Sequence, residues 1–134
     1  MKNIINELIK LNKKALKNNE VPISAIVVKN GKIIAKAINK KNMNNNVLYH
    51  AEIIAITKAS KKLKTWILND CDLYVTLEPC NMCREVINQS RLKNVFYFTK
   101  STKVINYKTK YRYIKIFPGK YFEEDLKNFF EMRR

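Results

Sequence analysis

His50, Glu52, Cys80 and Cys83 have the chemistry and the spacing to form one reactive centre. His50 is the only histidine in the chain. Cys80 and Cys83 stand three residues apart, so on a helix their sulfurs share a face and can reach one ion. At a helix N-terminus the positive end of the dipole would favour thiolate over thiol. Imidazole nitrogen and thiolate sulfur are tetrahedral zinc ligands. Three protein ligands leave the fourth corner to water, as in catalytic sites, whereas structural sites are closed by four. Glu52 lies two residues past His50. If His50 opens a helix, Glu52 falls in its first turn and can face the same open corner. Zinc lowers the pKa of a bound water to ~7, and a carboxylate beside it can carry the water proton to a leaving amine. Cys71, just before Asp72-Leu73-Tyr74-Val75, reads as a small buried hydrophobe.

Each of these residues also has a bland explanation. A lone histidine is ordinarily a surface or core residue. A lone C-x-x-C is often structural zinc or a redox pair, and a first-turn Glu is often a dipole partner. Their joint occurrence as His50-Ala51-Glu52 followed by Pro79-Cys80-x-x-Cys83 is far more specific. H-x-E…P-C-x-x-C is the pattern of zinc nucleobase deaminases, in which the Glu is acid/base and not a ligand.

The periodicity supplies the elements that would position these groups. Ile4, Ile5, Leu8, Ile9, Leu11, Ala15 and Leu16 make residues 4–17 an amphipathic helix. Ile23–Lys29 and Lys32–Ile38 are β-rich runs joined by Asn30-Gly31, a pair suited to a tight hairpin. Asn39–Tyr49 reads as a loop whose cluster of asparagines is attributed to composition. His50–Leu63 is a helix, apolar all round in its first half and so buried there, against a sheet. Asp72–Leu77 is a strand, Cys80–Ser90 a helix with Pro79 suited to its first turn, and Asn94–Phe98 a strand. Residues 100–112 are basic and polar. Tyr113–Phe117 is a candidate last strand, and Phe122–Met132 a final helix. Helices alternating with strands after a hairpin predict an α/β fold, a three-layer α/β/α sandwich around one mixed sheet.

A chain of 134 residues predicts one domain spanning 1–134, long enough to bury a core. With 46% apolar residues, disorder of the whole chain is excluded. No apolar run has the length of a membrane span. Asn6, Glu7 and Lys10 interrupt the first segment, so it is no signal-peptide core and the expected compartment is the cytosol. Three cysteines in such a chain suggest metal or catalytic use rather than a disulfide framework. The net charge of +16 comes from 27 Lys and Arg, mostly lysine, against 11 Asp and Glu. Two causes stand side by side: a polyanion partner, nucleic acid first, or an AT-rich genome that fills surfaces with Lys, Asn and Ile.

The chain resembles the bacterial tRNA-specific adenosine deaminases of the cytidine deaminase superfamily. The likeness rests on Glu20-Val21-Pro22 before a strand, on His50-Ala51-Glu52-Ile53, and on the run Leu73-Tyr74-Val75-Thr76-Leu77-Glu78-Pro79-Cys80-Asn81-Met82-Cys83. Ser90-Arg91 and the ending Phe129-Phe130-Glu131-Met132-Arg133-Arg134 add to it, so that it covers about residues 1–99 and 122–134. The resemblance implies the cytidine deaminase-like fold and one Zn2+ per subunit. It implies deamination of adenosine to inosine at the wobble position of a tRNA anticodon, with water attacking C6 of a flipped adenine and Glu52 shuttling protons. By it Asn39 and the backbone N–H of Ala51 would hold the base. Lys127, Arg133 and Arg134 would lie beside the anticodon stem-loop, which a homodimer would bind across both subunits.

The chain departs from the family at several points. Arg84, Glu85 and Val86 stand where small residues usually follow the second zinc cysteine. The segment Tyr97–Lys103 lacks the usual Asp and glycines. Tyr49 replaces a small residue before His50, placed either to stack on a base or to pack. Two other function classes compete. One is a deaminase of a free base, nucleoside or nucleotide of guanine or cytosine type, which would show no salt-dependent tRNA binding. The other is a zinc-stabilised RNA-binding protein without turnover, which would have no use for Glu52.

Overall fold

The computed structural model describes residues 1–101, 110–115 and 117–131. The first helix, α1 (Lys2–Lys17), leads into the hairpin β1 (Ser24–Lys29) and β2 (Lys32–Ile38). The turn between them has Asn30 at φ 51° and Gly31 at φ 75°, the pair of left-handed residues that Asn-Gly predicts. There follow α2 (Ala51–Leu63), β3 (Cys71–Leu77), α3 (Asn81–Gln89), β4 (Asn94–Thr99), β5 (Lys110–Tyr113) and α4 (Phe117–Glu131). The strands form one five-stranded sheet in the order β2-β1-β3-β4-β5. β1 runs antiparallel to both its neighbours, and β3, β4 and β5 run parallel. The sheet is mixed, as expected.

Alternation along the strands sorts the core into two layers. Ala25 and Val27 of β1, with Leu73 and Val75 of β3, face Ala51, Ala55 and Ala59 of α2 and Ile87 of α3. Ile26, Val28, Tyr74 and Phe98 face the other way, against Ile4 and Leu8 of α1 and Phe122 of α4. β1 and β3 lie between neighbours and are covered on both faces, hence their nearly continuous apolar runs. Alanines every fourth residue let α2 pack close to the sheet. The first half of α2 is not buried all round, since Ile53 and Ile54 are half-buried.

Most boundaries fall within two residues of the sequence expectation, and the larger differences lie at the C-terminal end. The last strand is Lys110–Tyr113 rather than Tyr113–Phe117. β5 is an edge strand with one partner; Lys110 and Arg112 point outward, and only Tyr111 and Tyr113 turn toward the core. That pattern is too weakly apolar to stand out, and charge on an edge strand guards against unwanted pairing. The final helix begins at Phe117 rather than Phe122. Pro118 stands in the first turn, where a proline fits because the backbone N–H it lacks would have had no intrahelical partner. Gly119 sits where a Cβ would meet the Phe98 carbonyl oxygen at 2.5 Å, so a bare backbone permits the close approach of α4 to β4. Pro79 precedes the N-cap of α3 rather than entering its first turn, and α3 is one residue shorter at each end than expected. The asparagine cluster has a conformational use: Asn45 is left-handed at φ 49°, and Asn46 Oδ1 accepts from the Leu48 N–H at 2.9 Å.

Candidate metal and active site

The chemistry-bearing residues collect where two helices begin on one face of the sheet. His50 is the N-cap of α2 and Cys80 the N-cap of α3, both in extended backbone. Cys83 follows in the first turn of α3 and is buried, while Cys80 is exposed. Tetrahedral zinc, with ~2.0 Å bonds to nitrogen and ~2.3 Å to sulfur, requires N–S edges of about 3.5 Å. His50 Nδ1 lies 3.4 Å from Cys83 Sγ and 3.8 Å from Cys80 Sγ. All three ligand atoms lie within 4.8 Å of one another. These separations fit one ion held by three protein ligands, and the soft donor set suits zinc.

The electrostatics follow from this proximity. Hydrogen bonds from Cys83 and His50 draw the Cys80 thiol down to about 3. The Cys80 thiolate and burial push the Cys83 thiol the opposite way, well above its ordinary range. The hydrogen bond to Cys80 raises the His50 imidazole. These opposite shifts favour the negative charge on Cys80 rather than Cys83, beside an imidazole whose protonated form is favoured.

Glu52 is buried at 4% exposure in the first turn of α2. Burial raises its carboxyl above the usual range, and its side chain is in hydrogen-bond contact with Cys83. A carboxyl so placed can accept and return a proton beside the ligand cluster. Ala51, fully buried, is the first residue of α2, where helix N–H groups have no intrahelical acceptor. Asn39 comes to the same place because the 40–49 loop is closed at its base by the Lys40 N–H donating to the Tyr49 carbonyl at 2.8 Å. Asn39 and His50 therefore flank that hydrogen bond. Tyr49 and Leu48 are exposed at the rim of the loop.

Glu20 has a role that its place in the sequence does not reveal. It is fully buried and anchors the loop. Its Oε1 accepts from Asn39 Nδ2 and the Asn42 N–H, each at 3.2 Å, and its Oε2 accepts from the Met43 N–H. The only local signal was an acid standing alone in a Lys- and Asn-rich stretch. Arg84, which the sequence marks only as a departure from the family, turns inward and is buried. Cys71 is buried as expected, its thiol pushed up to about 11 by burial and by Asp70.

Of the candidate RNA contacts, the one among the described residues, Lys127, is not brought to this place. Lys127 is exposed on α4, which packs on the sheet face opposite α2 and α3. Arg133 and Arg134, like Thr102 and Lys103 of the altered segment, lie outside the described residues. Lysines do gather elsewhere. The Lys58 amine is lowered by burial and then by Lys40, Lys14 and Lys36, a like-charged group that begins next to Asn39. Within it Lys36 is paired to Glu7 at 3.0 Å.

The family model for MafB19-like deaminases matches residues 1–134, and the chain belongs to that deaminase family. Among curated relatives, a tRNA-specific adenosine deaminase of Rickettsia bellii is 50% identical over 91 residues, 66% of this chain and 63% of the relative. One of the same name from Bacillus subtilis is 46% identical over 91 residues, 68% of this chain and 56% of the relative. The matched part thus spans less than two thirds of these relatives' length. A solved structure from studies of A-to-I editing by tRNA:A34 deaminases at the wobble position superposes with a TM-score of 0.73 at 30% identity, covering 84% of this chain and 98% of that one. The guanine deaminase of Bacillus subtilis superposes with a TM-score of 0.69 at 35% identity, covering 75% of this chain and 64% of that one. The fold is the cytidine deaminase-like sandwich of these neighbours.

Proposed function

We propose that this chain is a zinc-dependent hydrolase that deaminates adenosine to inosine at the wobble position of a tRNA anticodon. The observation that carries it is one cluster: the ligand atoms of His50, Cys80 and Cys83 within 4.8 Å of one another, with the buried Glu52 carboxyl against Cys83. The likeness to tRNA-specific adenosine deaminases supplies the substrate class. His50, Cys80 and Cys83 hold the zinc ion, whose role when bound is to make a water molecule nucleophilic near neutral pH. Glu52 accepts a proton from that water and delivers it to the departing amine, so that adenosine and water become inosine and ammonia. Its burial keeps the carboxyl basic enough for both transfers. Asn39, its amide Nδ2 committed to Glu20, and the Ala51 backbone N–H orient the base. The lysine group around Lys58 attracts the phosphate backbone, with Lys127, Arg133 and Arg134 as further contacts on the anticodon stem-loop.

The same reading takes residues 1–134 as one catalytic domain, acting in the cytoplasm as a homodimer. Among the described residues no helix is long and apolar enough to cross a membrane. The likeness to guanine deaminase supports a second reading, deamination of a free purine base. The deciding experiment incubates the zinc-loaded protein with a tRNA transcript carrying adenosine at the wobble position. Reverse transcription then reads inosine as G. Conversion at that position, absent in Glu52→Ala, is expected. No conversion by fully loaded protein, together with ammonia release from guanine, would replace the first reading with the second.

A further inference from the structure

His50 and Cys80 both cap helices, but Cys80 is exposed and ends a turn that follows directly on β3. That turn is held from within by Arg84, whose guanidinium reaches back along the first turn of α3. Its Nε donates to the Pro79 carbonyl at 3.2 Å and its Nη2 to Glu78 Oε2 at 2.7 Å. Both side chains are almost fully buried, at 3% and 10% exposure. The other carboxylate oxygen of Glu78 accepts from the Ser101 N–H at 3.0 Å, beyond the end of β4. The guanidinium also stacks on the Tyr111 ring of β5, 3.8 Å from its centroid. One planar, forked cation thus joins the Glu78-Pro79 turn, the end of β4 and the edge strand. A lysine could match its charge but not this set of directions.

We propose that Arg84 is a positioning residue for the metal centre, fixing the peptide that carries Cys80 and coupling the centre to strand β5. The inference rests on the reading of His50, Cys80 and Cys83 as metal ligands. Groups that hold a ligand in place typically change metal affinity ~10–100-fold when removed. Removing Arg84 alone would leave the Glu78 carboxylate buried and unpaired, which is strongly destabilising, whereas replacing both members of such a pair is often neutral. The informative variant is therefore the double replacement Arg84→Met with Glu78→Gln, with Arg84→Lys beside it.

The probe is cobalt(II) added to the metal-free protein. Thiolate-to-metal charge-transfer bands report ligation by cysteine, d–d bands report its geometry, and circular dichroism confirms the fold. The double variant is expected to bind cobalt roughly 10–100-fold more weakly with a changed d–d envelope, and Arg84→Lys to fall between it and the wild type. A folded double variant with wild-type affinity and spectrum overturns the role of Arg84. If the double variant does not fold, Arg84→Lys decides in the same way. A wild-type protein that gives no thiolate charge transfer removes the metal-centre reading itself, and this inference with it. Charge transfer that is lost in Cys83→Ser but unaltered in the Arg84 variants overturns this inference alone.

Discussion

Replacing Glu20 with Gln tests whether a buried acid far in sequence from His50, Cys80 and Cys83 orders the 40–49 loop and, through it, the proposed turnover. The carboxylate accepts three N–H groups, from Asn39 Nδ2, Asn42 and Met43, and is fully buried. Glutamine keeps the shape and one acceptor oxygen. Its NH2 must then face one of those N–H groups, donor against donor. The loss is one charge-assisted hydrogen bond, at ~1.5–3 kcal/mol, with an additional cost for the donor left unpaired. If loop order is wholly coupled to turnover, a loss of about 2–3 kcal/mol lowers kcat/KM by roughly 30–150-fold, at 1.36 kcal/mol per tenfold. Bound zinc should be unchanged, because no ligand is touched. The assay is steady-state inosine formation on an anticodon stem-loop, with hydrogen exchange at the Asn42 and Met43 amides read alongside. Faster exchange with the activity loss is expected. Faster exchange with kcat/KM within threefold of wild type would refute the coupling and leave Glu20 a purely structural anchor.

Glu52→Ala should retain zinc and RNA binding and lose turnover; any retained turnover removes Glu52 from its role. Cys83→Ser should abolish stoichiometric zinc and lower the melting temperature, and a chelator should lower the wild-type value, since ligand-linked stabilisation is lost with the metal. The Cys80 thiol, drawn down to about 3 by Cys83 and His50, is a thiolate above that pH, whereas Cys71, pushed up to about 11, stays protonated below it. Iodoacetamide should therefore label exposed Cys80 of the metal-free protein at a rate nearly flat from about pH 5 to 8, where a free thiol's rate would rise toward its pKa of ~8.5. Cys71 should stay unlabelled throughout; mass spectrometry distinguishes the sites. Gly119→Ala would push a Cβ to 2.5 Å from the Phe98 carbonyl oxygen. It should destabilise the fold by ~1–3 kcal/mol with the zinc content unaltered, as read by thermal melts and metal analysis.

The gathering of His50, Cys80 and Cys83 with Glu52 beside them was legible because their chemistry is local in kind even where it is distant in sequence. An i, i+3 cysteine pair shares a helix face wherever that helix lies. A carboxylate two residues past a helix-capping histidine lies in the first turn of that helix. The core strands and α1 were legible from period, and the hairpin from Asn30-Gly31. What misled was weakly patterned or ambiguous. β5 alternates charge with tyrosine on a one-sided edge, and Pro118-Gly119 looks like a break although it starts a helix. The Asn30 turn and the Asn42–Asn46 loop share one residue type, yet only the first has a neighbouring glycine to reveal its geometry.

The residue types at His50, Glu52, Cys80 and Cys83, and their placement at helix starts, follow from the one-dimensional order, since capping and helical period act over a few residues. That Glu20 anchors the Asn39 loop, that Arg84 turns inward onto Glu78 and Tyr111, and that Lys127 lies on the face away from the site were decided only by the packed sheet. These facts depend on which elements become neighbours across the sheet. A charged side chain becomes buried only when a partner is delivered to it from elsewhere in the chain. No local propensity encodes that delivery: the β1–β2 hairpin brings Asn39 to Glu20, and the strand order that sets β4 and β5 beside β3 brings Ser101 to Glu78 and Tyr111 to Arg84.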